Sequence, residues 1–337
     1  MTDLIGDLAA EQETLEAVVT ALAEAVWDRP TPFYGWTIRD EICHLAFFDA
    51  AARLSATDAA AFAAQMDQAS RDGDPFEETL KIGRALSTEA LLDWWRRERS
   101  GLIDGLKALP PGHRLPWFGP PMGVRSFTTA RLMETWAHGQ DILDALGQER
   151  PATIRLRHIA HLGVSTRDWS FLIRGLPPPA TPVRVELLGP SGEVWTWGAA
   201  DAGEAIRGAA EDFCLVVTQR RHVDDTDLNV AGDGARHWMR IAQAFAGPPA
   251  EGPEPGAFPR RGTAAAPGPR PAEPGADRSE RSSRTGSAFP SPGRGMGQAD
   301  RRAARAGGQA TSTTVARETP SSSSKETAFT SKTSISG

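Results

Sequence analysis

Four side chains in this sequence are spaced for metal chemistry. Glu134 and His138 stand four apart in Arg131-Leu132-Met133-Glu134-Thr135-Trp136-Ala137-His138-Gly139-Gln140-Asp141, and Asp141 follows three later, so on a helix all three share a face. His44 lies far away in the chain, among Ile42, Leu45, Phe47 and Phe48. Two imidazoles and a carboxylate brought together from facing helices would hold a divalent cation and leave coordination positions open, as catalytic sites do. On this reading His44, Glu134 and His138 are ligands, and Asp141 accepts a hydrogen bond from a ligand histidine or joins as a further ligand. The competing reading is a half-buried core histidine beside a solvated polar face. Glu-x-x-x-His alone does not decide between them. The apolar neighbours do weigh, because His138 sits beside Trp136 and near Ile142, and an imidazole turned inward among such residues needs a partner such as a metal.

The elements that must position these residues are mostly helical. Leu4, Leu8, Leu15, Val18, Val19, Leu22 and Val26 recur at threes and fours, predicting a first helix from about Asp3 to Val26. Asp28-Arg29-Pro30-Thr31-Pro32 breaks it. Thr37, with Asp40 three residues on, caps a second helix that carries His44 and runs to about Ala69, with a break near Ser55 to Asp58. After the turn Arg71-Asp72-Gly73-Asp74-Pro75 and a short helical segment, Ser87-Thr88-Glu89 opens a third long helix that ends at Pro110-Pro111-Gly112. The loop from Pro110 to Arg125 holds Trp117 and Phe118, which either shape a pocket mouth or pin the loop to the body. A fourth long helix, from about Ser126 to Leu146, bears the Glu134 motif and stops at Gly147. Together these describe a mainly α protein whose first part, residues 1–150, is an up-down four-helix bundle.

Residues 151–247 read as a small α+β domain. It has a helix from about Ile154 to Ile173, a hairpin of residues 182–188 and 193–198, a helix from about Ala202 to Thr218 and another from about Gly234 to Phe245. From residue 248 to 337 the chain turns to proline, glycine, serine, alanine and arginine, and all ten tryptophans precede it. Such a segment buries too little apolar surface to offset its ordering entropy, so a disordered tail is expected.

Charge narrows the functional classes. Residues 251–337 hold 13 basic and 8 acidic side chains of the chain's 37 and 43, which leaves 24 and 35 in the first 250 residues and a charge of −11 there. An acidic body of this kind argues against general nucleic-acid binding. Two cysteines, Cys43 and Cys214, make no disulfide framework and point to a reducing compartment. With no apolar run of membrane-spanning length and no signal-like N-terminus, a cytoplasmic location is expected. His158 and His161, three apart with no acid nearby in sequence, rank below the main group, as do His222 and His237. No P-loop, dinucleotide fingerprint, GxSxG elbow or CxxC pair is present.

The segments Trp36-Thr37-Ile38-Arg39-Asp40-Glu41-Ile42-Cys43-His44-Leu45 and Glu134-Thr135-Trp136-Ala137-His138 resemble the mycothiol-dependent maleylpyruvate isomerase family of the DinB-like superfamily over roughly residues 1–150. The resemblance implies a metal, zinc above all, on His44, Glu134 and His138, and mycothiol as a thiol cofactor. It implies addition of a metal-bound thiolate to a small electrophilic substrate, as an isomerase or thiol transferase. The second half resembles the α+β domain of actinobacterial members, some labelled wyosine-base-formation-like, and there Arg220 or Arg221 stands nearest to the family's binding arginine. The chain's 33 arginines against four lysines fit a GC-rich actinobacterial source. The alternative expectation is a non-catalytic metal- or ligand-binding protein.

Overall fold

A computed structural model describes residues 2–258 apart from Tyr34, Gly73, Asp74 and Gly119; the tail expected to be disordered lies, from residue 259, outside the described residues. Four long helices form the first part: α1 (Thr2–Thr20), α2 (Ile38–Thr57), α5 (Thr88–Ala108) and α6 (Val124–Leu146). Between α2 and α5 come α3 (Ala59–Asp72) and α4 (Pro75–Ala85), and the loop before α6 holds a small antiparallel pair, β1 (Arg114–Leu115) and β2 (Met122–Gly123). The first helix is shorter than its periodicity predicts. It stops at Thr20, and Glu24–Val26 form a separate 3-10 turn. The break expected in the second helix falls at Asp58, whose N–H still reaches the Leu54 carbonyl at 2.7 Å.

Local chemistry fixes where the helices that carry His44, Glu134 and His138 start and stop. Thr37 caps α2 reciprocally: its hydroxyl accepts from the Asp40 N–H at 3.3 Å, and its own N–H donates to the Asp40 carboxylate at 3.1 Å. His44 therefore comes two turns inside a firmly started helix. α6 ends where Gly147 adopts φ 66°, a conformation that costs glycine little.

Each of α1 and α2 packs on both α5 and α6. Near the middle of this arrangement Asp49 of α2, fully buried, gathers all four helices. Its Oδ1 accepts from Arg131 Nε (3.1 Å) and Nη2 (2.9 Å) on α6, and its Oδ2 accepts from Trp95 Nε1 (3.1 Å) on α5 and Gln12 Nε2 (3.2 Å) on α1. A buried carboxylate is tolerated only when its lone pairs are so filled.

Beyond α6, α7 (Leu156–Ser165) and α8 (Arg167–Leu172) divide at Thr166 what reads in sequence as one helix. The four-stranded sheet that follows has the order β4-β3-β5-β6, with β3 (Val183–Leu188), β4 (Val194–Trp197), β5 (Glu204–Ala209) and β6 (Asn229–Ala231). The hairpin is as expected, antiparallel in register Leu188↔Val194. The helix expected from Ala202 is corrected: residues 204–209 form β5, parallel to β3, and helix α9 spans only Ala210–Val217. Ala205 and Ile206 are both buried because β5 lies inside the sheet, and burial on both faces erases the alternation that reveals a strand. α10 (Asp233–Ile241) closes the sequence of elements.

Residues before and after 150 share one buried cluster, running from Leu4 and Leu8 through Leu102, Leu132 and Ile159 to Leu187 and Phe213. Gly163 lets α7 approach α9 closely, since a Cβ there would meet Val217 at 2.8 Å. Residues 248–258, expected as part of the tail, instead pack on this part of the chain. The Asp225 carboxylate accepts from the Gly256 and Phe258 N–H groups, and Arg221 lies 4.0 Å over the Phe258 ring. No helix among the described residues is long and apolar enough to cross a membrane.

Candidate metal centre

α2 and α6 bring His44, Glu134 and His138 together. Glu134 Oε2 lies 3.4 Å from His44 Nε2 and 3.2 Å from His138 Nε2, and the two imidazole rings are 4.1 Å apart. One donor atom from each of the three lies within 4.8 Å of the others. For zinc bonds of about 2.0–2.1 Å, the edge of a coordination tetrahedron is about 3.3 Å, so the two short separations match that spacing. Burial depresses the pKa of both His44 and His138, leaving imidazoles in the neutral form that coordinates metals. Burial opposes ionisation of Glu134, but its contacts with His138 and His44 outweigh this and hold it well below the ordinary carboxylate range.

Glu41 is the member of the site that sequence spacing did not expose. Its Oε2 lies 2.7 Å from His138 Nδ1, and its Oε1 accepts from the Thr31 hydroxyl at 2.6 Å. Were Nδ1–H to donate to Glu41, the Nε2 lone pair of His138 would be left for a cation in place of its contact with Glu134. The hydrogen-bonding role expected of Asp141 thus falls to Glu41. Asp141 Oδ2 stands 3.8 Å from His138 Nδ1 and is engaged by Arg220, through Nε at 3.1 Å and Nη2 at 2.6 Å. The signal for Glu41 was available: it lies three residues before His44, on the same helix face.

Glu41, His138 and Asp141 form a second group of possible donors, but all three are buried. The side chains of His44 and Glu134 keep 13% and 23% exposure, so the first group is the more accessible of the two. Charge supports a cation there. The carboxylates of Glu41, Asp49, Glu134 and Asp141 outnumber the guanidinium groups of Arg131 and Arg220, which engage two of them. Burial, then the nearby Asp141, pushes Glu41 well above its usual range.

Arg220 and Arg221 reach α6 because Gln219, at φ 59°, turns the chain as α9 ends. Arg220 is buried and bound to Asp141, with Nη1 donating to the Thr218 carbonyl at 2.7 Å; Arg221 grips Asp144 with Nη1 and Nη2 at 2.8 and 2.7 Å. Both are tied to carboxylates of α6. Of the lower-ranked histidines, His158 does meet an acid, Asp7 of α1 at 2.8 Å, which sequence proximity could not reveal. His161 accepts from Trp197 Nε1 at 3.3 Å, His222 Nδ1 accepts from the Asp224 N–H, and His237 packs edge-on against Phe171. Cys43 is buried, its thiol donating to the Thr79 carbonyl at 3.5 Å.

Aromatic rings surround the donors. Trp36 stacks 5.9 Å from His138, Phe33 meets it edge-on at 5.3 Å, and Phe48 lies 4.6 Å from His44.

Residues 8–143 match the family of the mycothiol maleylpyruvate isomerase N-terminal domain, and residues 179–230 match the wyosine base formation family. Two uncharacterized proteins of Mycobacterium tuberculosis, from strains CDC 1551 and H37Rv, are each 50% identical over 249 residues, which is 74% of this chain and 97% of theirs. Crystal structures of the mycothiol-dependent maleylpyruvate isomerase and of a mutant of it align at 14% identity over 65% of this chain and 89% of theirs, with TM-score 0.46. The family likeness and the donor groups together support a metal-associated enzyme of this superfamily. The chain belongs to the mycothiol-dependent maleylpyruvate isomerase-like family.

Proposed function

We propose that His44, Glu134 and His138 hold a divalent ion, with zinc the best match to the donor set, and that a small thiol of the mycothiol kind reacts there with a small electrophile. The product is an isomer or a thioether. The observation that carries this reading is the convergence of two neutral imidazole nitrogens on one carboxylate oxygen, with Glu41 behind His138. A cation so held would favour the thiolate form of a bound thiol at neutral pH.

The chain's own residues do the rest. Glu41 fixes the ring of His138 and its tautomer, and Arg220 holds Asp141 beside them. Phe33, Trp36 and Phe48 pack their rings against the two imidazoles. Neither cysteine can supply the nucleophile. Burial pushes the Cys43 thiol up to about 12 and the Cys214 thiol well above its usual value, and Cys214 is fully buried against the Leu156 carbonyl. The reactive sulfur must therefore come from a separate molecule, which suits a reducing cytoplasm.

In this reading residues 1–150 carry the metal and residues 151–247 buttress it, with Arg220 and Arg221 acting through Asp141 and Asp144. The wyosine base formation likeness of residues 179–230 would suggest a nucleic-acid substrate, which a body at −11 resists. Elemental analysis and thiol-dependent turnover of the wild type and His138→Ala test the reading. Equal metal stoichiometry in both proteins would reject the ligand assignment.

A further inference from the structure

Arg220 reaches the donor cluster from between two residues that are each held by a later part of the chain. It is buried, with Nε and Nη2 on the Asp141 carboxylate and its guanidinium 5.1 Å from the centre of the Phe33 ring. The residue before it, Gln219, sits at φ 59°, the one non-glycine residue among those described with a positive φ. Such a backbone costs energy in a residue that carries a Cβ, and it persists where the surroundings impose it. The residue after it, Arg221, spans to Asp144 with both terminal nitrogens.

Residues 248–258 fasten both of these neighbours. The Ala250 carbonyl accepts from Gln219 Nε2 at 2.7 Å, and the same amide donates to the Ala242 carbonyl at 3.1 Å. Gly252 packs on that side chain, since a Cβ there would stand 3.1 Å from the Gln219 Cβ. On the other side of Arg220, the Phe258 ring lies 4.0 Å from the Arg221 guanidinium, where the ring face attracts the cation. The Arg221–Asp144 pair keeps only 10% and 13% side-chain exposure, and a pair so covered is screened less than one in open solvent.

The fastening segment is itself tied down at both ends. Gln243 accepts from the Ala250 N–H and donates to the Pro248 carbonyl, each at 3.1 Å, and the Asp225 carboxylate accepts from the Gly256 N–H at 2.7 Å and the Phe258 N–H at 3.4 Å. The backbone of the turn is closed without it. The Val216 carbonyl of α9 accepts from the Gln219 N–H, and the Leu215 carbonyl accepts from those of Arg220 and Arg221. What α9 does not set is where the side chains on either side of Arg220 are directed, and there residues 248–258 make their contacts.

We propose that residues 248–258 are a positioning strap for the donor cluster: by holding Gln219 and Arg221 they keep Arg220 on Asp141, which leaves His138 Nδ1 to Glu41. The importance given to Arg220 rests on the metal reading above. The placement of its side chain does not, and it is measured on metal-free protein.

The Nε–H of Arg220 reports its bond to Asp141 directly, and the Nε–H of Arg131, 3.1 Å from Asp49, reports a bond inside the helical bundle. In NMR of the isotope-labelled full chain, solvent exchange of the Arg220 Nε–H should quicken by roughly fivefold or more in Phe258→Ala, with the Arg131 Nε–H unchanged. Gln219→Asn, whose shorter amide cannot reach Ala250 while asparagine tolerates the same backbone, should quicken it as well. Phe258→Tyr keeps the ring and should restore the exchange rate of the wild type. An Arg220 Nε–H unaffected by both Phe258→Ala and Gln219→Asn would overturn the proposal. So would an equal rise at Arg131, which marks a general loosening of the fold. Metal content and thiol turnover are read on separate samples, and their absence from the wild type would reject the function proposed above while leaving the exchange result to decide the strap.

Discussion

Replacing Glu41 by glutamine separates a carboxylate that serves the metal from one that serves the fold. In the structure Glu41 is fully buried, its Oε2 2.7 Å from His138 Nδ1 and its Oε1 held by the Thr31 hydroxyl. Glutamine keeps the shape: its carbonyl oxygen can still accept from Nδ1–H, and its amide can donate to the Thr31 oxygen. What is lost is the negative charge. A charge-assisted hydrogen bond is worth about 1.5–3 kcal/mol against about 1 for a neutral one. The difference, about 1–1.5 kcal/mol, corresponds to roughly tenfold in metal affinity. The metal-free protein should respond in the opposite sense. An unneutralised carboxylate in this interior costs desolvation energy that an amide does not, so the metal-free melting temperature of Glu41→Gln should equal or exceed that of the wild type. Competitive titration against a chromophoric chelator measures affinity, and calorimetry of the chelated protein measures stability. Unchanged metal affinity with a lowered metal-free melting temperature would refute the reasoning, because Glu41 would then be a structural residue only.

His138→Ala should reduce bound metal from about one per chain to a trace and thiol-dependent turnover by at least about a hundredfold, as read by elemental analysis and a steady-state assay. Chelation of the wild type should lower its melting temperature, since an ion present at about 1,000 times its Kd contributes about 4 kcal/mol; a melting curve indifferent to chelator would count against the site. Asp49→Asn should destabilise the chain by about 3–5 kcal/mol in urea titration, because it strips the buried Arg131 of its counter-charge, whereas Asp49→Leu combined with Arg131→Met should recover most of that loss. Both thiols should be silent to Ellman's reagent at pH 8 in the native protein, where Cys43 at a pKa of about 12 exposes roughly one thiolate in ten thousand, and two per chain should appear in guanidinium.

α1 and α5 were legible because each buries one stripe against neighbours, which writes a period of three and four into the sequence, whereas α2 and α6 are buried on most of their surface. The capping pair of Thr37 and Asp40 and the stop at Gly147 are likewise local chemistry, readable without the fold. β5 was not, since it is flanked by β3 and β6 and buried on both faces, so residues 204–209 look like a helix start. The three donors stood out as residue types unexpected among apolar neighbours. Glu41 did not, because an acid in the first turn of a capped helix has an ordinary explanation in the helix dipole, and only the approach of α6 gives it His138. The engagement of Arg220 by Asp141 joins residues 79 apart, and no local pattern encodes such a pairing.

That separation also has a meaning in time. Synthesis proceeds at about 5–20 residues per second, so α6 is complete for several seconds before Arg220 and Arg221 have been made. During that interval every donor of the cluster exists, while Asp141 and Asp144 lack the guanidinium groups that will later face them. Around Asp141 and Asp144 the nascent helix then lacks two positive charges that the finished protein has.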